Sequence, residues 1–568
     1  MANSDDPKEA KVAYLSMEIA LDKDIPTFSG GLGVLAGDVI RSAADYSMPL
    51  VGVTLIYSGG YFYQTLSGDG VQIEKKFRWD FLDDFEELGK VKVEVQDSEI
   101  TVRGWQYKIL GKSGTSIPVI CLDTNVPENE PWQQELTSSL YDANRFTRIV
   151  QEMILGIGGI RILDQLGYDQ IDTYHLNEGH SAFLIFELLK KMSIDEVKSH
   201  CVFTTHTPVK AGLEQFDYDL ANDVFRDRLP SNVHDLAGDK NLNMTRLALN
   251  SSKYVNAVSR KHGEVSRTMF PGYEIDTITN GIHIAFWMNP YIRDMLDEEL
   301  GSSWHFDYRE LKRSIELNSF NLWHAHEKAK KDLLDYEKSH SWVFLEKDLL
   351  TVGFSRRITE YKRPLLVFSD LDRLEKLARN KVQFVFAGKP HPADKNAKEM
   401  IKKLYVYSDE LWDSYGIRLA FLENYDIDMA RLLVSGVDAW LNNPRRYNEA
   451  SGTSGMKAAL NGVLNFSVLD GWWIEGFERD PLAGWAIGPG PDEPGANATS
   501  DIADAADAAS LYDVLETQIL PTWLDERDKW IERMKHAIAL GAVFNTDRMI
   551  EEYAEKAYQL KRRTPWSR

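Results

Sequence analysis

The chain has 568 residues, of which 43% are hydrophobic and 27% are charged, and its formal net charge is -22. This length exceeds what one hydrophobic core usually supports, so we expect two or three domains. The negative charge argues against nucleic acid as a partner, because a phosphate backbone requires a basic face. Only two cysteines occur, which excludes a disulfide framework.

The N-terminal stretch, MANSDDPKEAK, is polar and lacks the apolar segment that a signal peptide needs. No apolar run approaches the roughly 20 residues required to cross a membrane. Together with the low cysteine count, these features predict a cytoplasmic protein without a membrane segment.

The first half of the chain alternates strand-like and helix-like segments. Apolar runs predict strands at 12–18, 49–57, 171–176, 201–205, 254–258 and 275–278. Helical spacing of apolar residues predicts helices at 35–46, 135–166 and 181–191. The stretch 61–129 is less regular and is predicted to form extended hairpins.

The second half begins with a charged helical stretch at 308–337 and then becomes more regular. Strands that alternate with helices are predicted at 349–355, 382–388, 419–425, 439–442 and 463–469. The stretch 481–505 is rich in proline, glycine and alanine and is predicted to be a surface loop. The last helix is predicted at 547–561.

Repeated βα units of this length predict an α/β fold in which two Rossmann-like domains, each with a parallel doubly wound sheet, face a cleft. A boundary near 284–290 divides the chain into an N-terminal domain at 1–285 and a C-terminal domain at 286–568. This division leaves open that the terminal helices pack back on the first domain.

Polar and glycine residues follow many of the predicted strands. In open parallel sheets, ligands bind outside the carboxyl ends of the strands. The residues in these positions are Gly30, Gly31, Gly33, His175, Asn177, Glu178, His206, Asn280, Arg356, Arg357, Lys362, Gly388, Lys389, Glu423, Asn424, Tyr425, Asp470 and Gly471. Their recurrence across many loops is stronger evidence for a cleft site than any single motif.

The stretch 448–476 is the strongest candidate for the chemistry. Ser451 to Gly455 form a small polar loop whose backbone can approach a ligand closely. A short helix is predicted at 456–460, with Lys457 in its first turn. A lysine there opposes the helix dipole, so it is either solvated or held for a purpose.

Several of these features also have ordinary structural interpretations. The loop SGGLG lacks the Walker lysine and is as consistent with a tight turn as with an anion loop. The run RRITEYKR is typical of a charged surface helix, but its position after an apolar strand favours an anion site. His206 is equally consistent with a structural role and with a sugar contact. Core packing is the default for Trp472 and Trp473.

Seven motifs, taken together, resemble the α-glucan phosphorylases of glycogen, starch and maltodextrin. They are GGLGVLAGD, HLNEGHSAF, TTHTPV, ITNGIH, RRITEYKR, FLENY and EASGTSGMKAALNG. They occur in order from about residue 13 to 476, and DGWWIEG is closer to the bacterial and archaeal branch. The resemblance implies the two-domain GT-B fold, with pyridoxal 5'-phosphate in the cleft, and glucan and inorganic phosphate as substrates. It leaves a homodimer open.

The resemblance assigns roles to individual residues. The implied catalytic residues are Lys457, which carries the cofactor, with Arg356, Arg357, Lys362 and His206. The implied cofactor contacts are Lys457, Lys362, Tyr425, Thr453 and Gly31. The implied substrate contacts are Gly31, Asn280, Glu449, Ser451, Gly452, His175 and Asn177. No metal is implied, and the histidines at 175 and 180 lack the helical zinc pattern.

The implied reaction is a retaining phosphorolysis of α-1,4-glucan that gives α-D-glucose 1-phosphate. In this family the cofactor acts through its phosphate, whose second pKa of about 6 suits proton exchange near neutral pH. Cations around the two phosphates offset their repulsion, and no pair of catalytic carboxylates is needed. At Arg356 the family usually has lysine, and the change alters donor geometry.

The chain is shorter than the animal enzymes and begins almost at the first strand, so we expect an enzyme without their phosphorylation and AMP control. Two alternatives stay open at this point. A nucleotide-sugar transferase such as a glycogen synthase shares the fold but does not need Lys457. An inactive glucan-binding relative is the other alternative.

Overall fold

The computed structural model describes residues 9–25, 27–76, 79, 84–498 and 500–560. Most of the polar N-terminal stretch lies outside these residues, as does residue 561 at the end of the last expected helix. None of the described helices is both long and apolar enough to span a bilayer.

The first half is built on a nine-stranded sheet and two small two-stranded antiparallel sheets. Its strands are β1 (Val12–Ser16), β2 (Leu50–Leu55), β3 (Tyr63–Leu66), β4 (Gln72–Lys75), β5 (Glu86–Val95), β6 (Ser98–Leu110), β7 (Ser116–Asp123), β8 (Thr173–Asn177), β9 (Cys201–Thr204), β10 (Gln215–Asp217), β11 (Asn241–Asn243), β12 (Tyr254–Ala257) and β13 (Asp276–Thr277). The sheet order is β13-β12-β9-β8-β1-β2-β7-β6-β5, and pairs β3-β4 and β10-β11 stand apart. The sheet is parallel from β13 to β7, and β6 and β5 add an antiparallel edge.

A six-stranded sheet organises the second half. Its strands are β14 (Leu350–Ser355), β15 (Val382–Ala387), β16 (Arg418–Leu422), β17 (Ala439–Asn442), β18 (Leu464–Val468) and β19 (Gly484–Ile487). The order is β16-β15-β14-β17-β18-β19, and every pair is parallel. The predicted α/β class with parallel sheets in both halves is confirmed.

Twenty-two α-helices accompany these strands in the described residues. They are α1 (Gly31–Asp45), α2 (Pro131–Gln134), α3 (Arg145–Met153), α4 (Gly159–Leu166), α5 (Leu184–Leu188), α6 (Ile194–His200), α7 (Tyr218–Phe225), α8 (Val233–Ala237), α9 (Met244–Asn250), α10 (Arg260–Met269), α11 (Ile284–Trp287), α12 (Pro290–Leu300), α13 (Ser319–His340), α14 (Leu371–Ala378), α15 (Lys395–Tyr415), α16 (Ile427–Gly436), α17 (Thr453–Leu460), α18 (Trp472–Arg479), α19 (Ser500–Val514), α20 (Leu520–Leu524), α21 (Arg527–Ala539) and α22 (Thr546–Glu552).

Both faces of the central parallel strands of the first sheet are buried, as is usual for parallel strands. In β1, Ala13 and Leu15 belong to one hydrophobic cluster, whereas Val12 and Tyr14 belong to another on the opposite face. The second of these clusters also contains Met549 and other residues of the C-terminal segment. The end of the chain therefore packs on the first sheet, while the domain division at 285/286 stays a prediction.

Several predicted elements differ from the structure. The helix predicted at 135–166 begins only at Arg145, because Tyr141 has a φ of +58° and Asn144 caps the helix through its side chain. Helix α1 starts at Gly31, earlier than predicted, so the glycine loop forms its first turn. The surface loop predicted at 481–505 is wrong at residues 484–487, which form β19, and at residues 500–505, which belong to α19. Residues 484–487 form a strand because Ile487 is buried and Gly484 lies against the Asn465 carbonyl.

Candidate active site

The chain order of the strands reverses between β1 and β8 in the first sheet and between β14 and β17 in the second. In doubly wound sheets a ligand crevice opens at such a switch point, outside the carboxyl ends of the strands. Gly31 follows β1 at the first of these points, and Arg356, Arg357 and Glu449 follow β14 and β17 at the second.

His206 follows β9, and its hydrogen bonds go to residues at the end of β8, next to the first switch point. Its Nε2 donates to Asn177 Oδ1 at 2.7 Å, and its backbone N–H donates to Glu178 Oε2 at 2.7 Å. Burial lowers the pKa of His206 to about 3. The imidazole is therefore neutral at physiological pH, with its tautomer fixed by the Asn177 amide oxygen.

The glycine loop is held by Glu18, which follows β1. Its Oε2 accepts the N–H groups of Ser29 at 2.7 Å and Gly30 at 3.2 Å, and Tyr141 Oη donates to Oε1 at 2.7 Å. A Cβ on Gly30 or Gly31 would meet no atom within 4 Å. The 15-residue helix α1 thus presents its N-terminus at open space, which suits an anion.

A cluster of cations lies at the second switch point, where β14 and β17 end. Arg356 donates to Glu449 Oε2 at 2.7 Å and to Asn442 Oδ1, and Lys362 donates to the same Glu449 oxygen. Burial lowers the pKa of Lys362 to about 8, assisted by the Arg356 charge. Glu449 therefore pairs with both cations, and its single negative charge leaves the three side chains with a net positive charge.

Arg357 contrasts with its neighbour Arg356. Its side chain is exposed, and within the described residues it has no hydrogen bond or ion pair. Its charge acts on the pKa values of Tyr61, Tyr361 and His391. This guanidinium is free to bind an anion in the cleft.

Lys457 lies in the second turn of α17, not in its first turn as predicted, because the helix begins at Thr453. Its Nζ lies 3.9 Å from the centre of the Trp287 ring and has no hydrogen-bond partner among the described residues. Burial lowers its pKa to about 8, and Asp38 opposes this shift. A buried amine with a lowered pKa is suited to attack a carbonyl carbon.

The loop before α17 presents unsatisfied polar atoms. Ser451 Oγ is buried without a hydrogen-bond partner, and so is Asn280 Oδ1 from the first half. Gly452 adopts a φ of +82°, and a Cβ there would approach Glu449 Cγ at 3.2 Å. Such atoms are expected where a polyhydroxylated ligand completes the hydrogen bonding.

Comparison with known proteins identifies the family. The carbohydrate phosphorylase model matches residues 229–479. The chain is 37% identical over 604 residues to maltodextrin phosphorylase of Thermococcus litoralis, an alignment that covers 97% of this chain and 70% of that protein. The chain belongs to the carbohydrate phosphorylase family. The family resemblance of the sequence motifs is thus confirmed, as is the predicted enzyme class of glycosyltransferase.

In two further relatives, the alignment covers a larger share of the relative's own length. It is 36% identical to glycogen phosphorylase of Aquifex aeolicus, with 98% of this chain and 87% of that protein aligned. It is 33% identical to an uncharacterised protein of Methanocaldococcus jannaschii, with 96% of this chain and 99% of that protein aligned.

The structure does not bring every predicted residue of this phosphorylase to the cleft. His175 Nδ1 lies 2.6 Å from Tyr558 Oη and its Nε2 lies 2.8 Å from Thr204 Oγ1, so both ring nitrogens are occupied by the protein. Tyr14 and Tyr553 pack on the ring. His175 therefore joins the first sheet to the C-terminal segment. Tyr425 follows β16, where burial raises its pKa, and it faces Ser355 at the end of β14.

Four residues of the site were not among the predicted contacts: Glu18, Asp38, Trp287 and Asn442. Glu18 and Asn442 lie at strand ends. The rule that ligands bind outside the carboxyl ends of parallel strands, here called the strand-end rule, could therefore have found them. Asp38 and Trp287 lie within helices, and only the packing of α1 and α11 near α17 brings them to Lys457. No sequence pattern indicates that contact.

Glu152, His180 and Glu214 have ligand-type atoms within 4.8 Å of one another. Arg148 Nε lies 3.3 Å from Glu152 and 3.0 Å from Glu214. The arginine supplies the positive charge that a metal ion would otherwise bring, so this cluster does not argue for a metal site.

Proposed function

We propose that the chain is an α-glucan phosphorylase. It cleaves non-reducing ends of α-1,4-glucans with inorganic phosphate and releases α-D-glucose 1-phosphate, with pyridoxal 5'-phosphate bound at Lys457. The observation that carries the proposal is the Lys457 amine, which is buried, lacks a hydrogen bond within the described residues and has a pKa lowered to about 8. Relatives named maltodextrin and glycogen phosphorylase support the same activity.

The residues present fit this cofactor. Lys457 would hold it covalently, Arg356 and Lys362 would neutralise its phosphate, and Tyr425 and Thr453 would contact the ring. The orphaned Nε of Arg356 is buried without a partner, as expected for a donor that awaits an anion. When bound, pyridoxal 5'-phosphate supplies a phosphate whose second pKa of about 6 allows proton exchange near neutral pH.

The protein groups then have separable tasks. Arg357 and the N-terminal N–H groups of α1 at Gly31 bind inorganic phosphate. Asn280, Ser451 and the neutral His206 orient the terminal glucosyl unit by hydrogen bonds. Because the cations and the helix N-terminus are fixed before the substrate binds, they stabilise the phosphate charge without reorganisation.

The test combines a chemical and a catalytic measurement. The purified protein is incubated with pyridoxal 5'-phosphate and borohydride, and the adduct is mapped by peptide mass spectrometry. It is then assayed for glucose 1-phosphate from maltodextrin plus phosphate. We expect an adduct on Lys457, phosphate-dependent product, and loss of both in Lys457→Ala.

Other outcomes would overturn the proposal. Absence of an adduct in the unmodified protein contradicts the cofactor assignment. Glucosyl transfer from a nucleotide sugar without added phosphate would indicate a synthase. An adduct without turnover would indicate an inactive glucan-binding relative.

We also propose that the chain divides into domains at residue 285/286, that it acts in the cytoplasm and that it forms a homodimer. The separate sheets of the two halves support the division. Limited proteolysis tests the division: we expect cleavage near 284–290, with the two fragments held together because the C-terminal segment packs on the first sheet.

A further inference from the structure

Asp38 is a buried carboxylate that the proposed reaction does not use. It lies on α1, about two turns after Gly31, and only 1% of its surface is exposed. Its Oδ2 accepts a hydrogen bond from Trp287 Nε1 at 2.8 Å. Its Oδ1 is buried without a hydrogen-bond partner, and Arg41 lies 3.8 Å away. A buried carboxylate with one oxygen lacking a hydrogen bond is unusual and needs an explanation.

Trp287 connects this carboxylate to Lys457. The edge of the indole donates to Asp38, while its face lies 3.9 Å from Lys457 Nζ. An indole whose N–H donates to a carboxylate carries more electron density on its ring, since hydrogen bonds polarise their partners in a low-dielectric interior. The cation–π attraction for the lysine is thereby strengthened.

The electrostatic effects on Asp38 and Lys457 also link these two residues. Among the described residues, Asp38 is the one charged group that acts on the pKa of Lys457. Burial raises the pKa of Asp38, and Lys457, Arg41 and His283 oppose the shift. His283 is itself engaged, because its Nε2 lies 3.0 Å from Asp45 Oδ2.

We propose that Asp38 is a positioning residue that holds Lys457 through Trp287, so that the amine stands at a fixed place for covalent attachment of an aldehyde. The role of Asp38 rests on the proposed function only for the identity of that aldehyde, pyridoxal 5'-phosphate. In this arrangement, the position and the charge environment of a lysine in the second half depend on a carboxylate in the first half.

The test measures the reactivity of Lys457 in protein freed of any cofactor. Formaldehyde and cyanoborohydride methylate the amine: nitrogen attacks the aldehyde carbon, the carbonyl oxygen leaves as water, and hydride reduces the C=N bond. Only the neutral amine reacts, so the rate at different pH values reports its protonation. Peptide mass spectrometry follows Lys457, with the exposed Lys347 as internal reference.

The informative variant is Asp38→Asn, which keeps an acceptor for Trp287 but removes the charge. We expect its pKa for Lys457 to fall by about one unit, which makes methylation at pH 7 about fivefold faster. Asp45→Asn, on the same helix, is the matched control and is expected to leave the profile in place. A profile of Asp38→Asn identical to that of the unmodified protein would overturn the proposal.

A second variant keeps the test decisive if Asp38→Asn does not fold. Trp287→Phe removes the indole N–H and weakens the cation–π contact, so the Lys457 profile should shift in the same direction. An unshifted profile in this variant would equally overturn the proposal. Failure of pyridoxal 5'-phosphate to attach to the unmodified protein would contradict the proposed function alone, because methylation reads Lys457 directly.

Discussion

Gln64 and Asn424 exchange two hydrogen bonds between the two halves of the molecule. The Gln64 N–H donates to Asn424 Oδ1 at 3.1 Å, and the Asn424 N–H donates to Gln64 Oε1 at 3.0 Å. The Gln64 amide also donates to the carbonyl of Gly388 at 3.1 Å. The hairpin β3–β4 is therefore bonded to the loops that follow β15 and β16, directly before Tyr425.

These bonds predict that Gln64→Met loosens the Asn424 turn. Asn424 has a φ of +57°, a conformation that costs free energy unless neighbouring contacts maintain it. Losing a net bond of about 1–1.5 kcal/mol should raise hydrogen exchange at the Asn424 amide by about tenfold. Ser67→Ala is the control, because in the described part of the chain the Ser67 Oγ hydrogen bonds go to Asp69 and Val71 of the same hairpin. Equal exchange rates in the two variants would contradict the prediction.

The glycine loop predicts a loss of activity without a loss of stability. In Gly31→Ala the new methyl group meets no protein atom within 4 Å, and alanine is the better helix former. We expect an unchanged or slightly higher melting temperature, but a Michaelis constant for phosphate raised about tenfold, because the methyl group fills the space offered to the anion. Steady-state kinetics and calorimetry on the same preparation measure both.

The control for this prediction lies two turns further along the helix. In Gly37→Ala the methyl group would collide with the backbone carbonyl of Ala20. This variant should lose several degrees of melting temperature, as expected for overpacking that costs about 1–3 kcal/mol. If Gly31→Ala behaves like Gly37→Ala, the loop is structural and not a cradle for an anion.

The strand-end rule accounts for most of what could be predicted from the sequence. It found the positions of His206, Arg356 and Arg357, because the apolar β-strands can be recognised in the sequence and the polar residues that follow them share one edge of a sheet. The same rule placed His175 at the site, but His175 is the third residue of β8, and its side chain lies on the face of the sheet that the C-terminal segment covers. Residues inside a strand alternate between the two faces of the sheet, so the face that His175 occupies, and not its closeness to the end of the strand, keeps it from the site.

What the sequence could not predict depends on contacts between distant segments. The buried strand β19 follows a run of short helical turns and contains only four residues, too few for a period to show. Trp287 and Asp38 reach Lys457 across 170 and 419 positions of the chain, respectively. Local patterns carry no information on such approaches, which the packing of the two halves determines.

Arg356 and Arg357 should respond differently to removal. Arg357→Ala removes an exposed guanidinium without a partner in the described residues, so stability should stay within about 0.5 kcal/mol. Its Michaelis constant for phosphate should rise at least tenfold, on the order of 1.4 kcal/mol. Arg356→Ala leaves the buried Glu449 with one cation fewer and should also destabilise the fold by about 2–3 kcal/mol. Equal melting temperatures for both variants would contradict this division.

Asp470 predicts how stability depends on pH. Its carboxylate accepts the N–H groups of Glu449 at 3.0 Å and Gly471 at 2.8 Å. Burial, together with the Glu449 charge, raises its pKa to about 7. Since the pKa of Asp470 in the folded protein lies above its usual value, the protonated carboxyl stabilises the fold. This stabilisation is complete below about pH 4 and is lost as the pH rises to about 7.

Asp470→Asn removes this titration while keeping an amide of the same shape. Relative to Asp470→Asn, the unmodified protein should lose stability between pH 5 and pH 8, on the order of 2 kcal/mol. Asp504→Asn is the control with the opposite sign, because hydrogen bonds from Arg445 and Arg363 outweigh burial and lower the pKa of Asp504, and neither arginine titrates in this range. A carboxylate with a lowered pKa contributes its full stabilisation above the unfolded pKa. The difference in stability between this variant and the unmodified protein should therefore not change between pH 5 and pH 8. Thermal unfolding of the three proteins at pH 5, 6, 7 and 8 measures the difference, and parallel curves for Asp470→Asn and the unmodified protein would refute it.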